Sequence, residues 1–228
     1  AQIGMLRCSR QLPPPARMQP IRTLNKIVFG ASAAVLLVAF WQRNDLPAPS
    51  ALLPQLRAEP RQRPTTTPPF TVDYAGVQYA VDPQYEYELT GMIVSYRQHD
   101  GDSRMHRLAN DHLNVADLCV VWGDTAASPH IDDIRFWNGI FTCNFQTSSQ
   151  TAWDSIRPEQ IANNHLISAD DLIRGQVADV AIGDQVRVRG WLASYGSGGN
   201  KRGTSTTRED TGDGACETIY VNDFEILR

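Results

Sequence analysis

The chain has 228 residues, 42% of them hydrophobic, with 21 Lys and Arg against 25 Asp and Glu and a formal net charge of -4. That length holds one large domain or two small ones, and the missing basic surplus argues against a general nucleic-acid binder. The charge is unevenly spread, so its order along the chain says more than its sum.

Ahead of Ile27 stand Arg7, Arg10, Arg17, Arg22 and Lys26, with no acidic residue among them. Residues 27–41, IVFGASAAVLLVAFW, carry no charge, and Gln42, Arg43 and Asp45 close the run. A basic flank before an apolar run marks a signal anchor or a signal peptide. The run is shorter than the roughly 20 residues of a bilayer span. Leu24 and Asn25 extend it, with Lys26 snorkelling back. No small-x-small cleavage site directly follows Trp41, and Ala48-Pro49-Ser50 places proline where cleavage is disfavoured. The reading is an uncleaved anchor over 24–42, with a cleaved signal and a buried core helix as alternatives. Positive charge stays on the cytoplasmic side. Residues 1–23 are then a basic cytoplasmic tail, and the remainder lies in the periplasm, held at the inner (cytoplasmic) membrane by one span. Met5 and Met18 are both candidate starts, and the LPPPAR stretch of 12–17 reads as disordered tail.

Residues 43–70 hold Pro47, Pro49, Pro54, Pro60, Pro64, Pro68 and Pro69 and lack apolar periodicity. Proline at this density favours extended chain, so this stretch is expected to be a linker.

Residues 71–228 are expected to fold. Residues 85–97, YEYELTGMIVSYR, alternate around Gly91 and read as a long, bent first strand. Residues 116–123, ADLCVVWG, read as a second, central strand, and 135–147, RFWNGIFTCNFQT, as a third. Two short helices are expected next. One covers 158–163 with Pro158 in its first turn; Asn163, Asn164 and His165 would end it. The other covers 168–177, with Asp170 and Asp171 placed for its cap and dipole. Residues 182–195, IGDQVRVRGWLASY, give a Gly183-Asp184 turn and then a strand. Val186, Val188, Gly190 and Leu192 would face a core; Gln185, Arg187, Arg189, Trp191 and Tyr195 would face away. Mid-strand Gly190 signals a bulge or a tight barrel bend. After a long Gly/Ser/Thr loop over 196–214, residues 217–227 form the last strand.

The order strand, strand, strand, helix, strand, strand, with its two strand glycines and the GDQVRVRGWL phrase, resembles the OB-fold, a five-stranded Greek-key barrel with its helix between strands three and four. The fold class expected is therefore mainly β: an OB-like five-stranded barrel with short helices between strands three and four, preceded by one transmembrane helix. A small β-sandwich with a helical insert reads similarly. The resemblance implies a binding face on strands two and three, framed by loops 98–115 and 196–214. It also implies that strand three neighbours strand five. Cys143 and Cys216 are then expected to form a disulfide in an oxidising compartment. Cys119 with Cys143 is the alternative, and three buried thiols a further one.

The charged loop 200–216, NKRGTSTTREDTGDGAC, reads as a ligand-gripping segment, with arginine forks for an anionic group and glycines for close approach. Lys201, Arg202 and Arg208 are its candidate contacts, and Trp191, Arg189 and Tyr195 those of the neighbouring strand. Mutual pairing of its charges is the plainer reading. Glu209, Asp210 and Asp213 do not match a calcium loop. The five histidines, His99, His106, His112, His130 and His165, form no HExxH or zinc-finger spacing. His106 and His112 near Asp100, Asp102 and Asp111 make a conceivable metal cluster, but solvated loop histidines are the commoner outcome. No metal, cofactor or catalytic residue is expected. No nucleophile elbow, phosphate loop or dinucleotide fingerprint occurs.

The function expected is a membrane-anchored, extracytoplasmic binding or assembly domain without catalysis. It would engage a protein partner in or near the membrane, or a small ligand, through its long loops. The alternatives are an anchored or secreted hydrolase using loop 200–214, and a cofactor or metal chaperone. An anchored barrel resembles the haem chaperone of cytochrome c maturation, but residues 224–228 lack the histidine that family carries near its C-terminal tail.

Overall fold

The structure, a computed structural model, describes residues 20–41, 45–99, 111–139, 142–207 and 216–228, with the side chains of 20–24 and 37–41 outside the description. The chain forms two compact units, Ala1–Gln42 and Arg43–Arg228. In the first, α1 covers Pro20–Trp41. Ile27, Val28, Phe29, Val35 and Leu36 on this helix are all exposed. Among the described residues no helix is long and apolar enough to cross a membrane. The last side chains of the expected 24–42 span lie outside those residues.

The second unit is mainly β. Its elements are β1 (Arg61–Pro64), β2 (Phe70–Tyr74), β3 (Val77–Gln98), β4 (Asn114–Val121), α2 (Gly123–Ala126), β5 (Arg135–Asn138), β6 (Cys143–Gln146), α3 (Gln150–Ser155), β7 (Ile161–Ile167), α4 (Asp171–Ala178), β8 (Gln185–Ser197), β9 (Asn200–Arg202) and β10 (Glu217–Ile226). Five of the strands close a ring in the order β3-β4-β7-β10-β8 and back to β3. Numbered by their order in the chain, these are strands one, two, three, five and four. All neighbours are antiparallel except β7 and β10, which run parallel. A ring of this kind leaves few open edges.

Alternation fills the ring. Leu89, Ile93, Leu118, Val120, Leu166, Val186, Val188, Leu192, Ile219, Val221 and Phe224 form its core, joined by Ile173 and Val177 of α4. The inward set expected on β8 is therefore correct. Gly190 is needed there because a Cβ would overlap the Tyr220 carbonyl oxygen of β10. The turn before β8 also needs glycine, since Gly183 has φ +91°, a region L-residues avoid. Helix α4 starts as the sequence implies: the Asp170 carboxylate accepts from the Leu172 and Ile173 amides.

Two expectations are corrected. Residues 135–147 are not the third ring strand; they form the separate β5–β6 hairpin. The third strand is β7, over residues expected to be helical. Pro158–Gln160 makes only a single 3-10 turn, and His165 sits inside a strand instead of capping a helix. The alternation of IANNHLI was hidden because Asn163, Asn164 and His165 are polar yet buried.

Nor is 43–70 a free linker. Leu56 is 1% exposed and packs with Leu46, Leu52 and Leu53 against Met92, Val94 and Val121. The Leu53 amide donates to Gln185 Oε1 at 2.7 Å, Trp122 Nε1 donates to Glu59 Oε2 at 3.0 Å, and β1 and β2 both pair with β3. The prolines suit this role because short 3-10 turns begin at Pro49 and Pro54, and an edge strand tolerates Pro64.

Candidate functional site

On β4, Ala116, Leu118 and Val120 turn into the ring, so Asp117 turns out of it. On β7, Leu166 turns in and His165 turns out. Asp117 and His165 are direct cross-strand partners, which brings their side chains together. His165 Nδ1 lies 2.6 Å from Asp117 Oδ1. His99, one residue beyond β3, brings its Nε2 to 3.0 Å from Asp117 Oδ2; its own amide is held by the Val115 carbonyl at 2.9 Å. One carboxylate thus lies between two imidazoles drawn from ring strands one and three.

The far side of His165 is also engaged. Its Nε2 is 3.2 Å from the Tyr195 hydroxyl, which donates to Asp111 Oδ1 at 2.7 Å. Arg202 lies 2.9 Å from Asp111 Oδ2. Tyr195 and Arg202 face each other across the β8–β9 pairing. The string Arg202, Asp111, Tyr195, His165, Asp117, His99 therefore links the connection after ring strand one to the connection after ring strand four. Its middle is buried: Asp117 is 1% and His165 2% exposed.

The hydroxyl proton of Tyr195 is committed to Asp111, so we assign Nε2 of His165 as the donor toward Tyr195. Burial opposes ionisation of Asp117, but the hydrogen bonds and charges of His165 and His99 prevail and hold its carboxyl well below the usual range. Burial, followed by the charge of Asp111 and the hydrogen bond to it, pushes the Tyr195 hydroxyl far above the ordinary phenol value. Tyr195 is accordingly a neutral donor here.

A second polar string runs beside the first. Ser95 Oγ donates to Asn138 Oδ1 at 2.6 Å, Asn138 Nδ2 to Asn163 Oδ1 at 3.1 Å, and Asn163 Nδ2 to Cys216 Sγ at 3.4 Å. Asn138 comes from the β5–β6 hairpin, which is fastened over this face by a disulfide between Cys119 and Cys143. The expected pairing of Cys143 with Cys216 is thus corrected in favour of its alternative. Once the hairpin, and not β7, carries Cys143, that residue faces β4 and not β10.

The structure divides the expected binding residues between places. Trp191 and Arg189 line an open cleft with Arg61, Arg63 and Glu86. Trp191 packs against Phe70 and Tyr220, and Arg189 pairs with Glu88 and Asp223. Tyr195 and Lys201 border a second hollow at the β8–β9 turn. Arg202 is occupied by Asp111, which belongs to the connection after ring strand one and not to loop 200–216. Arg208 lies outside the described residues, as do Asp100, Asp102, His106, Glu209, Asp210 and Asp213. The backbone amide of His112 donates to Tyr79.

The sequence reading gave Asp117 no role, and it missed the joint placement of His99 with His165. Two signals were available. Asp117 interrupts an otherwise apolar strand at an outward position, and HLI at 165–167 continues a two-residue period.

Comparison with models of known protein families, with curated proteins and with solved structures finds no match.

Proposed function

We propose that the chain is a membrane-tethered, OB-like barrel that binds a protein partner or a small ligand outside the cytoplasm, without catalysing a reaction. The ring order one-two-three-five-four, with α4 between strands three and four, supports the OB-like reading. The charge-free run inside a 22-residue helix, with Ile27, Val28, Phe29, Val35 and Leu36 exposed, supports the tether. The Cys119–Cys143 disulfide supports an oxidising compartment. One observation carries the binding role. The Arg202–Asp111 ion pair joins the connections after ring strands one and four, and these are the connections that frame the ligand face of such barrels.

The test uses the full chain purified in mild detergent, compared with its Arg202→Ala variant by native mass spectrometry. The reading expects a molecule retained by the wild type and lost from the variant. Turnover on nuclease, phosphodiesterase or glycosidase substrates that disappears in the same variant would replace the non-catalytic reading with the hydrolase. The compartment is tested separately, by protease added to intact spheroplasts. Cleavage of the chain in intact spheroplasts at the same sites as in lysed ones is expected, and cleavage only after lysis removes the extracytoplasmic placement.

A further inference from the structure

We infer that His99, Asp117 and His165 form a binding site for one divalent transition-metal ion of the zinc class. The metal-capable atoms of these three side chains all lie within 4.8 Å of one another. Two imidazole nitrogens and a carboxylate are a donor set that suits zinc and its neighbours, and a poor one for calcium or magnesium.

The argument rests on what lies between Nδ1 of His165 and Oδ1 of Asp117. An imidazole lone pair and an ionised carboxylate oxygen repel at 2.6 Å. A cation must sit between them: a proton at this distance, or a metal ion once the two atoms move apart. Tyr195 accepts the Nε2 proton of His165, so in the neutral ring Nδ1 carries the lone pair and is the atom presented to Asp117. This is the arrangement of a metal-ligating histidine, whose second nitrogen donates to an oriented acceptor that fixes tautomer and ring plane. Here that acceptor is itself fixed, since the Tyr195 hydroxyl is held by Asp111 and Asp111 by Arg202. Metal–donor bonds of about 2.0–2.1 Å set neighbouring donors roughly 3 Å or more apart. His99 Nε2 and Asp117 Oδ2 already meet this at 3.0 Å; Asp117 Oδ1 has only to withdraw slightly from His165. Three protein ligands leave a coordination position open. The inference is independent of the compartment and of the binding partner proposed above.

The experiment titrates the full-length, tag-free, chelator-treated chain with Zn2+ by calorimetry, and repeats the titration with Co2+ to read its visible spectrum. One ion per chain is expected. His165→Ala and His99→Ala should each weaken binding by at least about 100-fold, and Tyr195→Phe, which keeps all three ligands, by about 10–100-fold. His130→Ala, at a half-buried histidine paired with Asp133, should change nothing. Should His165→Ala fail to fold, Tyr195→Phe and the Co2+ spectrum still decide the matter. The absence of stoichiometric binding, or binding that survives both His165→Ala and Tyr195→Phe, overturns the inference and leaves a purely hydrogen-bonded clamp.

Discussion

Arg202 reaches Asp111 across 91 residues of chain to make a 2.9 Å ion pair, and it is the outermost member of the string that ends at His99. The Asp111 side chain is 5% exposed and that of Arg202 36%. The carboxylate therefore depends on its partner more than the guanidinium does. Arg202→Ala leaves Asp111 buried with only the Tyr195 hydroxyl among these contacts. A stability loss of about 1–3 kcal/mol is expected for a hydrogen bond to a charged group, read from urea unfolding. Arg202→Lys should recover only part of it, because lysine lacks the planar fork. A loss equal to that of an exposed pair such as Arg61–Glu88 would show that the two connections are not tied here.

Asp117 gives the metal-free protein an acid-sensitive step. The groups facing it are His165 and His99, and both favour its ionised form. Its folded pKa is depressed below the ordinary 3.8, so its contribution is complete above 3.8 and is lost as the pH falls from there through the lower folded value. Chelator-treated protein should show a urea midpoint that drops below about pH 4. Asp117→Asn should lower the midpoint at pH 6 and flatten the acid limb. An unaltered acid limb in that variant would assign the acid sensitivity to other carboxylates.

Leu56 tests the incorporation of the proline-rich segment. It is 1% exposed among Met92, Val94 and Val121. Leu56→Ala is expected to cost about 2–5 kcal/mol, and Glu59→Ala less, through loss of the bond from Trp122. A free linker would tolerate both without a shift in melting temperature. Limited proteolysis should likewise spare residues 46–60 in the folded protein.

The disulfide is tested by counting. With Cys119 and Cys143 paired, the denatured, unreduced chain should react at two thiols, and the reduced chain at four. Cys216→Ser should lower both counts by one, whereas Cys143→Ser should leave the unreduced count at three. The bond closes a loop with a sequence separation of 24, so its removal is expected to cost about 3 kcal/mol by chain entropy. A single reactive thiol in unreduced Cys143→Ser, or three in unreduced Cys216→Ser, would point to a different pair.

Short-range rules made part of this protein legible in its sequence. The inward set Val186, Val188 and Leu192, the glycine at 190, the Gly183 turn and the Asp170 cap all follow from periodicity, a missing Cβ or a local hydrogen bond, and each involves residues within a few positions of one another. The β character of the second unit followed in the same way. What the tertiary structure alone decided was which segments lie side by side. Only ring closure places Ile161–Ile167 between β4 and β10, and only there can buried Asn163, Asn164 and His165 find partners that make a polar strand stable. The same closure moved the Cys143 hairpin onto β4, seated Leu56 against the barrel and set His165 opposite Asp117. Such contacts depend on register between strands 48 residues apart, and no local pattern encodes that distance.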